Sequence, residues 1–481
     1  MKRDGKYRAC LCALGYTQIG GEDFVDNFAP VIKDETFRMV LSLAMLNNWK
    51  KYVLDVETAF LYGNLQEQIY MTAPVGYEDI LQALQDDGIL PANSDLNISE
   101  DEILQLIKTI YGLVQAAREW YRRLREKLIQ LGYAKCLNDP CLFYRSNELG
   151  PSILCVYVDD SFGVGEEKAL EDTIYELEKD FTILVDWNAD EYLGCKIGIT
   201  SDGKTVLSQL DILKRLRHRF YDKVKHVSEH STPSTPGFKA YRVKNDWEKL
   251  NTCDQKLFRA GIGILLHLVK YTRPEIANSV RELSHVMDCA NDAHFKELLT
   301  VIKFVLDSEA LKLLIDLNKA GKGIFYLTRK LDSDFAGNQE TRKSITGWLV
   351  FFLGVLIAWR SKAQPHITLS STEAELVAVT DLCCEILFCH QILSFLGITL
   401  EYPILVEVDN QGAVFLARND CTSQRTKHID TKYLFLREYQ EDGIIKIVFV
   451  CSEDNESDVM TKNTSKPIYE KHVNKFMVWD K

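Results

Sequence analysis

The sequence predicts a multidomain chain of mixed α+β and α/β character, and three observations lead there. Its 481 residues are enough for about three domains of ordinary size. Strand-like and helical stretches alternate over residues 1–209, helical periodicity dominates 210–318, and strands around one long helix recur over 319–481. Hydrophobic residues make up 46% and charged residues 26%, ordinary globular composition and ample for several cores.

The 13 cysteines are scattered without paired metal-ligand spacing, and Cys383-Cys384 sits inside an apolar helical pattern. That usage predicts buried thiols in a reducing intracellular compartment, cytoplasmic or nuclear, and argues against a secreted disulfide scaffold. No signal peptide opens the sequence. The longest apolar run, 345–359, is shorter than a membrane span and is interrupted by Gly347 and Gly354. A buried hairpin is expected there, and no membrane partner. The net charge of −12 argues against binding phosphate, which is mainly an effect of Lys and Arg. Distribution matters more than the sum, however. Basic residues gather at Arg118, Arg122, Arg123, Arg125 and Lys127, and again at Lys214, Arg215, Arg217, Arg219, Lys223 and Lys225. Each cluster fits a solvated helix face or a nucleic-acid contact.

In the first segment, Tyr52-Val53-Leu54-Asp55-Val56 is a strand-like run carrying one acid and continuing to an aromatic at Phe60. Residues 82–99, acidic and holding Pro91, Asn93 and Asn97, are expected to be a surface loop. Ile110-Tyr111-Gly112-Leu113-Val114-Gln115 then leads into the first basic stretch. Next, Ile153-Leu154-Cys155-Val156 runs into Tyr157-Val158-Asp159-Asp160 and returns through Ser161-Phe162-Gly163, a β-hairpin pattern with two acids at its tip. Neighbouring unneutralised carboxylates repel, which points to a divalent cation, although an Asp-Asp pair also serves as a plain polar turn.

In the middle segment, the Ser-Thr-Pro repeats of 229–238 mark an extended linker. Helices are expected over 258–270 and 274–287, the second with Pro274 in its first turn. In the last segment Asp332 follows the strand-like 323–331, and Asp409 ends the run Ile404-Leu405-Val406-Glu407-Val408. Glu375 lies in the first turns of a helix whose Leu376, Val379, Leu382, Cys383 and Ile386 keep a 3.6-residue spacing. Asp458 opens a helix after an alternating strand. Plain structural readings exist for each: Glu375 as an acid favoured by the helix dipole, Asp409 and Asp458 as N-caps. Ser370 and Glu373 fit a capping box.

Taken in order, the stretches 52–65, 110–121 and 157–160 resemble the reverse transcriptase of copia-type retrotransposon polyproteins. Thr272-Arg273-Pro274-Glu275-Ile276-Ala277 continues the likeness. Ser344-Ile345-Thr346-Gly347-Trp348, Leu369-Ser370-Ser371-Thr372-Glu373-Ala374-Glu375, Val408-Asp409-Asn410-Gln411 and Lys427-His428-Ile429 are similar to that family's ribonuclease H half. The resemblance covers nearly the whole sequence. It implies a right-hand polymerase palm with partial fingers over 1–209, a helical thumb or connection over 210–318, and a ribonuclease H-like mixed-sheet domain over 319–481. It implies an RNA-directed DNA polymerase that takes an RNA template, a DNA primer and dNTPs, and that hydrolyses the RNA of an RNA–DNA hybrid. Asp55, Asp159 and Asp160 would hold two Mg²⁺ (or Mn²⁺) ions, and Asp332, Glu375, Asp409 and Asp458 a second pair. Asp332 rather than Asp334 matches the family's first ribonuclease H acid. Phe60 would press on the sugar and exclude a 2′-hydroxyl, while Tyr111, Gly112 and Gln115 would line the nucleotide and template pocket.

The sequence also departs from that family. Cys10 and Leu14 stand where the pattern is basic, and Val114 and Ala117 where it shows Lys and Pro. Positive charge in the fingers serves the incoming triphosphate. The fingers strand that precedes this stretch is missing, so a truncated copy is expected. A catalytically inactive relic, or one retaining ribonuclease H alone, therefore stays open beside the active enzyme. The last segment, with its own strands and helix, is expected to fold from about residue 319.

Overall fold

Gly150–Tyr157 and Asp160–Gly165 form an antiparallel hairpin closed by the two residues Val158 and Asp159. The strand Lys50–Val56 pairs with the second arm of this hairpin on one side and with Ile183–Asp186 on the other. It is thus an inner strand of a six-stranded antiparallel sheet. Tyr52, Leu54 and Val56 are buried while Val53 and Asp55 are half-buried, the two-residue alternation of a strand with one face in a core. The acid is on the less buried face.

The computed structural model describes residues 11–91, 103–317, 325–418 and 430–480. Its contacts divide the chain into two compact units, Met1–Ile32 with Lys50–Trp187, and Lys33–Trp49 with Asn188–Lys481. The first unit contains the six-stranded sheet, the helices Ala116–Gln130 and Glu167–Glu178, and a ribbon of Asn64–Thr72 with Ile103–Lys108. A helix, Tyr77–Asp86, occupies the start of the stretch expected to be a loop, and 92–99 lies outside the described residues.

In the second unit the expected helices are present as Thr252–Tyr271 and Ala277–Ser284, the latter led in by a 3₁₀ turn starting at Pro274. Leu210–Val224 and Asp292–Asp307 complete this helical stretch. The Ser-Thr-Pro linker is non-helical and is held by one carboxylate. Glu297 accepts from Thr235 N–H at 2.7 Å and Thr235 Oγ1 at 3.0 Å, and from Ser234 Oγ. A five-stranded sheet runs in the order Met477–Trp479, Leu311–Ile315, Thr205–Ser208, Cys195–Ile199 and Glu191–Tyr192. It draws strands from all three segments distinguished in the sequence.

A second five-stranded sheet of this unit has the order Val355–Ala363, Ile345–Phe352, Leu327–Asp334, Ile404–Val408 and Ile445–Phe449. Its first three strands are antiparallel, and the pairings of Ile404–Val408 on both sides are parallel. The apolar run 345–359 is the predicted buried hairpin. Leu353 (φ 52°) and Gly354 (φ 84°) form its tip, two left-handed residues of the kind that match strand twist. The helix Ser371–Phe395 is long and apolar enough to cross a membrane by length and composition. Here Leu376, Val379, Leu382, Cys383 and Ile386 are buried, and the helix packs on Leu327–Asp334 and Ile345–Phe352 as a core helix.

Candidate functional site

The hairpin tip places two acids beside the inner strand. Asp160 is the direct cross-strand partner of Asp55, and Val56 N–H donates to the Asp159 carbonyl at 3.1 Å. Directly opposed residues share a face, so the Asp55 and Asp160 carboxylates stand side by side. Burial, then Asp159, then Asp55 push the Asp160 carboxyl up to about 6. Val158 adopts φ 56°, a costly conformation for a β-branched residue. Its carbonyl accepts a hydrogen bond at 2.6 Å from Nε1 of Trp120, which is fully buried. The indole from the motif 110–121 therefore holds the turn that carries the acids, a link between two motifs that sequence order does not reveal.

Other residues named beside these acids form a packed layer. Phe60 is half-buried in the short turn Ala59–Tyr62, and its ring centroid lies 4.9 Å from that of Tyr111. It packs on the cluster of Ile69, Leu113 and Ala116. Gly112 has φ 93°, and a Cβ there would lie 2.1 Å from the Ala13 carbonyl oxygen, so only glycine lets segment 11–18 approach. Gln115 is fully buried and spends its amide on the same segment. Its Nε2 donates to the Asp23 carbonyl and its Oε1 accepts from Gln18 Nε2, both at 3.1 Å. Leu14 is 60% exposed, and Cys10 lies outside the described residues. In the first basic cluster, Arg118 pairs with Asp26 and Glu119, Arg122 with Glu119, and Arg123 and Lys127 with Asp180. In the second, Lys214, Arg217, Lys223 and Lys225 each pair with an acid, and Arg215 and Arg219 are exposed.

The second acid group is built at the ends of parallel neighbours. Leu331 pairs with Val408, so Asp332 and Asp409 are the next residues along these two parallel neighbours. Asp458 begins the short helix Asp458–Thr461, which lies over Gly347. A Cβ at Gly347 would come within 2.5 Å of Thr461 and 2.7 Å of Met460, so this glycine admits the helix beside Asp332, its strand partner. Ligand oxygens of Asp332, Asp409 and Asp458 all lie within 4.8 Å of one another. Among the described residues that tight grouping occurs here and not at Asp55, Asp159 and Asp160.

Glu375, from the core helix, stands beside the group on Ser333, the neighbour of Asp332. Its Oε1 accepts from Ser333 N–H at 2.9 Å and Ser333 Oγ at 2.8 Å, while its buried Oε2 has no hydrogen-bond partner. Burial, followed by Asp332 and Asp409, raises this carboxyl well above the usual range. Burial and then Asp332 likewise raise Asp409 and bring Asp458 to about 6. An all-carboxylate donor set with an orphaned buried oxygen fits a hard divalent cation.

Three neighbouring positions have hydrogen-bonded partners of their own. The cap of the helix Gln411–Arg418 is Asn410, whose Oδ1 accepts from Ala413 N–H at 3.0 Å, so Asp409 is not needed there. Asp334 pairs with Lys239 at 2.5 Å. Ser370 accepts from Glu373 N–H as predicted, but the Glu373 carboxylate returns to Leu369 N–H at 2.7 Å, one residue beyond a capping box. Lys427 and His428 lie outside the described residues.

Residues 1–225 match the family model described as reverse transcriptase (RNA-dependent DNA polymerase). The chain is 31% identical over 472 residues to the retrovirus-related Pol polyprotein from transposon TNT 1-94 of Nicotiana tabacum, covering 96% of this chain and 34% of that protein. It is 30% identical over 474 residues to the corresponding polyprotein from transposon RE1 of Arabidopsis thaliana, covering 98% and 30%. The chain thus spans about a third of the length of the curated relatives it matches. A structure of the foamy viral protease-reverse transcriptase in complex with dsDNA aligns over 83% of this chain and 68% of that one at 13% identity, with a TM-score of 0.20, too slight to carry an argument. Residues 1–225 thus match the reverse transcriptase family, and nearly the whole chain is similar to Pol polyproteins of plant copia-type transposons.

Proposed function

We propose that this chain is an RNA-directed DNA polymerase whose C-terminal carboxylate group hydrolyses the RNA strand of an RNA–DNA hybrid. The carrying observation is the pairing of Asp55 with Asp160 next to Asp159, inside the segment matched by the reverse transcriptase family. In this reading 1–209 is a palm with part of the fingers, 210–318 a thumb or connection, and 319–481 a ribonuclease H-like domain. Asp55, Asp159 and Asp160 would hold divalent metal, Mg²⁺ or Mn²⁺, as would Asp332, Glu375, Asp409 and Asp458. Bound there, two ions per site supply charge neutralisation of the phosphate and activation of the attacking oxygen. The chain's own part is to aim the carboxylates, through the Trp120-held turn at one site and the Ser333-held Glu375 at the other. Phe60 and Tyr111 form the wall on which a deoxyribose would rest, and Gly112 and Gln115 keep segment 11–23 against it.

The test is extension of a DNA primer on an RNA template with Mg²⁺, run beside degradation of the RNA in a labelled hybrid. Asp159→Asn should abolish extension and spare degradation, and Asp409→Asn should do the reverse, each by at least about a hundredfold, because an amide is a poor Mg²⁺ ligand. Loss of both activities in either variant would mean that the two acid groups do not serve separate reactions. A second reading, a folded copy that has lost polymerisation, is favoured by the exposed apolar Leu14 where the family pattern is basic. Hybrid degradation without any extension by the parent chain would select it.

A further inference from the structure

The cation set against the second acid group is the ammonium of Lys462. Its Nζ lies 3.2 Å from Asp332 Oδ2 and 3.0 Å from Asp458 Oδ1, two of the residues whose oxygens converge there. The main chain beneath it is fixed. Lys462 N–H donates to the Asp458 carbonyl at 2.9 Å, and the next residue is clamped through its carbonyl and its side-chain amide. The Asn463 carbonyl accepts from Gly237 N–H and its Oδ1 from Asn278 Nδ2 and Ser279 Oγ, all at 2.9 Å, while its Nδ2 donates to the Phe238 carbonyl at 3.0 Å. The backbone is held, while the Lys462 side chain above it is 43% exposed. Asp332, by contrast, is 2% exposed and has no such freedom.

We propose that Lys462 is a resident counter-ion: it neutralises the carboxylate group while no divalent ion is bound, and swings out when one enters. The inference rests on the metal-site reading of this group. A lysine ammonium is a compact charge on a flexible stem, suited to bridging two carboxylates reversibly. It bears on the same two aspartates that a divalent ion would need, so the two cations exclude each other. Opposite charges about 4 Å apart hold each other even at the dielectric of water, and an entering ion must break that hold, so removing the lysine should tighten divalent binding on the order of tenfold. Lys462 thereby sets the metal concentration at which the C-terminal site loads, without itself touching substrate.

The experiment uses the full chain with Asp159→Asn and Asp160→Asn, so that Mn²⁺ heats report the C-terminal group. Lys462→Met should lower the Mn²⁺ dissociation constant about tenfold and lower the melting temperature in EDTA, while Lys462→Arg stays near the parent. Asn463→Ala, which frees the backbone beneath Lys462, gives a second route and should shift both readouts in the same directions by less. Mn²⁺ binding that is lost in Asp409→Asn but unchanged or weakened in Lys462→Met overturns the counter-ion role. Heats that do not depend on Asp409 overturn the metal-site reading, and this inference with it.

Discussion

At the scale of single residues, two buried arginines of the second unit show what the fold has and has not accommodated. Arg38 donates to the carbonyls of Ile357 and Lys270 at 2.8 Å and of Tyr271 at 3.3 Å, and stacks 4.0 Å over the Trp359 ring. Arg329, fully buried in the strand that ends at Asp334, donates only from Nη1, to the Leu327 carbonyl at 3.0 Å. Its Nε and Nη2 are buried without partners, and burial pulls the guanidinium down to about 9. Burying an unpaired charge is costly, and an apolar side chain of similar length removes that cost. Arg329→Met should therefore stabilise the chain by about 1–4 kcal/mol, read as a higher urea midpoint at unchanged slope. A lower midpoint would mean that Arg329 has a partner in solution. None of this is legible in sequence, where Arg38 follows Asp34 and Glu35 and Arg329 adjoins Lys330 without any sign of burial. The acids were legible because they recur in ordered motifs. The Gln115 amide bonds Gln18 and Asp23, and an amide's partners leave no trace in sequence spacing.

At the scale of elements, hairpins were read correctly because their cues are local: alternation, a two-residue turn, an apolar return. Both the acid-bearing hairpin and the Leu353–Gly354 hairpin stand where those cues put them. What the cues miss is strain and its remedy. Val158 sits at φ 56° and its carbonyl is held by Trp120 from a distant helix. If that hydrogen bond serves to hold the strained turn, the two residues should be energetically coupled. Val158→Gly relieves about 1–3 kcal/mol of strain and loses somewhat less than 1 kcal/mol to unfolded-state entropy, a net gain of about 1 kcal/mol. Trp120→Phe should cost about 1 kcal/mol alone and distinctly less in the Val158→Gly background. Strict additivity in urea denaturation would show that the indole packs beside the turn without restraining it.

Across the molecule, the order of segments was legible but not the way they share sheets, because pairing between strands far apart in sequence has no local signature. The C-terminal strand Met477–Trp479 pairs with Leu311–Ile315, which precedes the segment expected to fold by itself from about residue 319. The helix Asp34–Leu46 packs on Val355–Ala363, where Val355, Leu356 and Ile357 are almost fully buried, and Arg38 satisfies the Ile357 carbonyl. Cutting at 319 therefore leaves an unpaired strand and strips a helix from an apolar strand, the two exposures that most favour edge-to-edge association. These pairings predict that the segment needs both partners to fold. Residues 319–481 expressed alone should aggregate or melt without cooperativity. Starting at 188 should restore the sheet partner of Met477–Trp479, and adding 33–49 as a separate peptide should raise the melting temperature further. Circular dichroism melts with parallel light scattering decide the matter. A monomeric 319–481 with a cooperative transition as high as that of 188–481 would show that the shared strand and the inserted helix contribute little to this half of the chain.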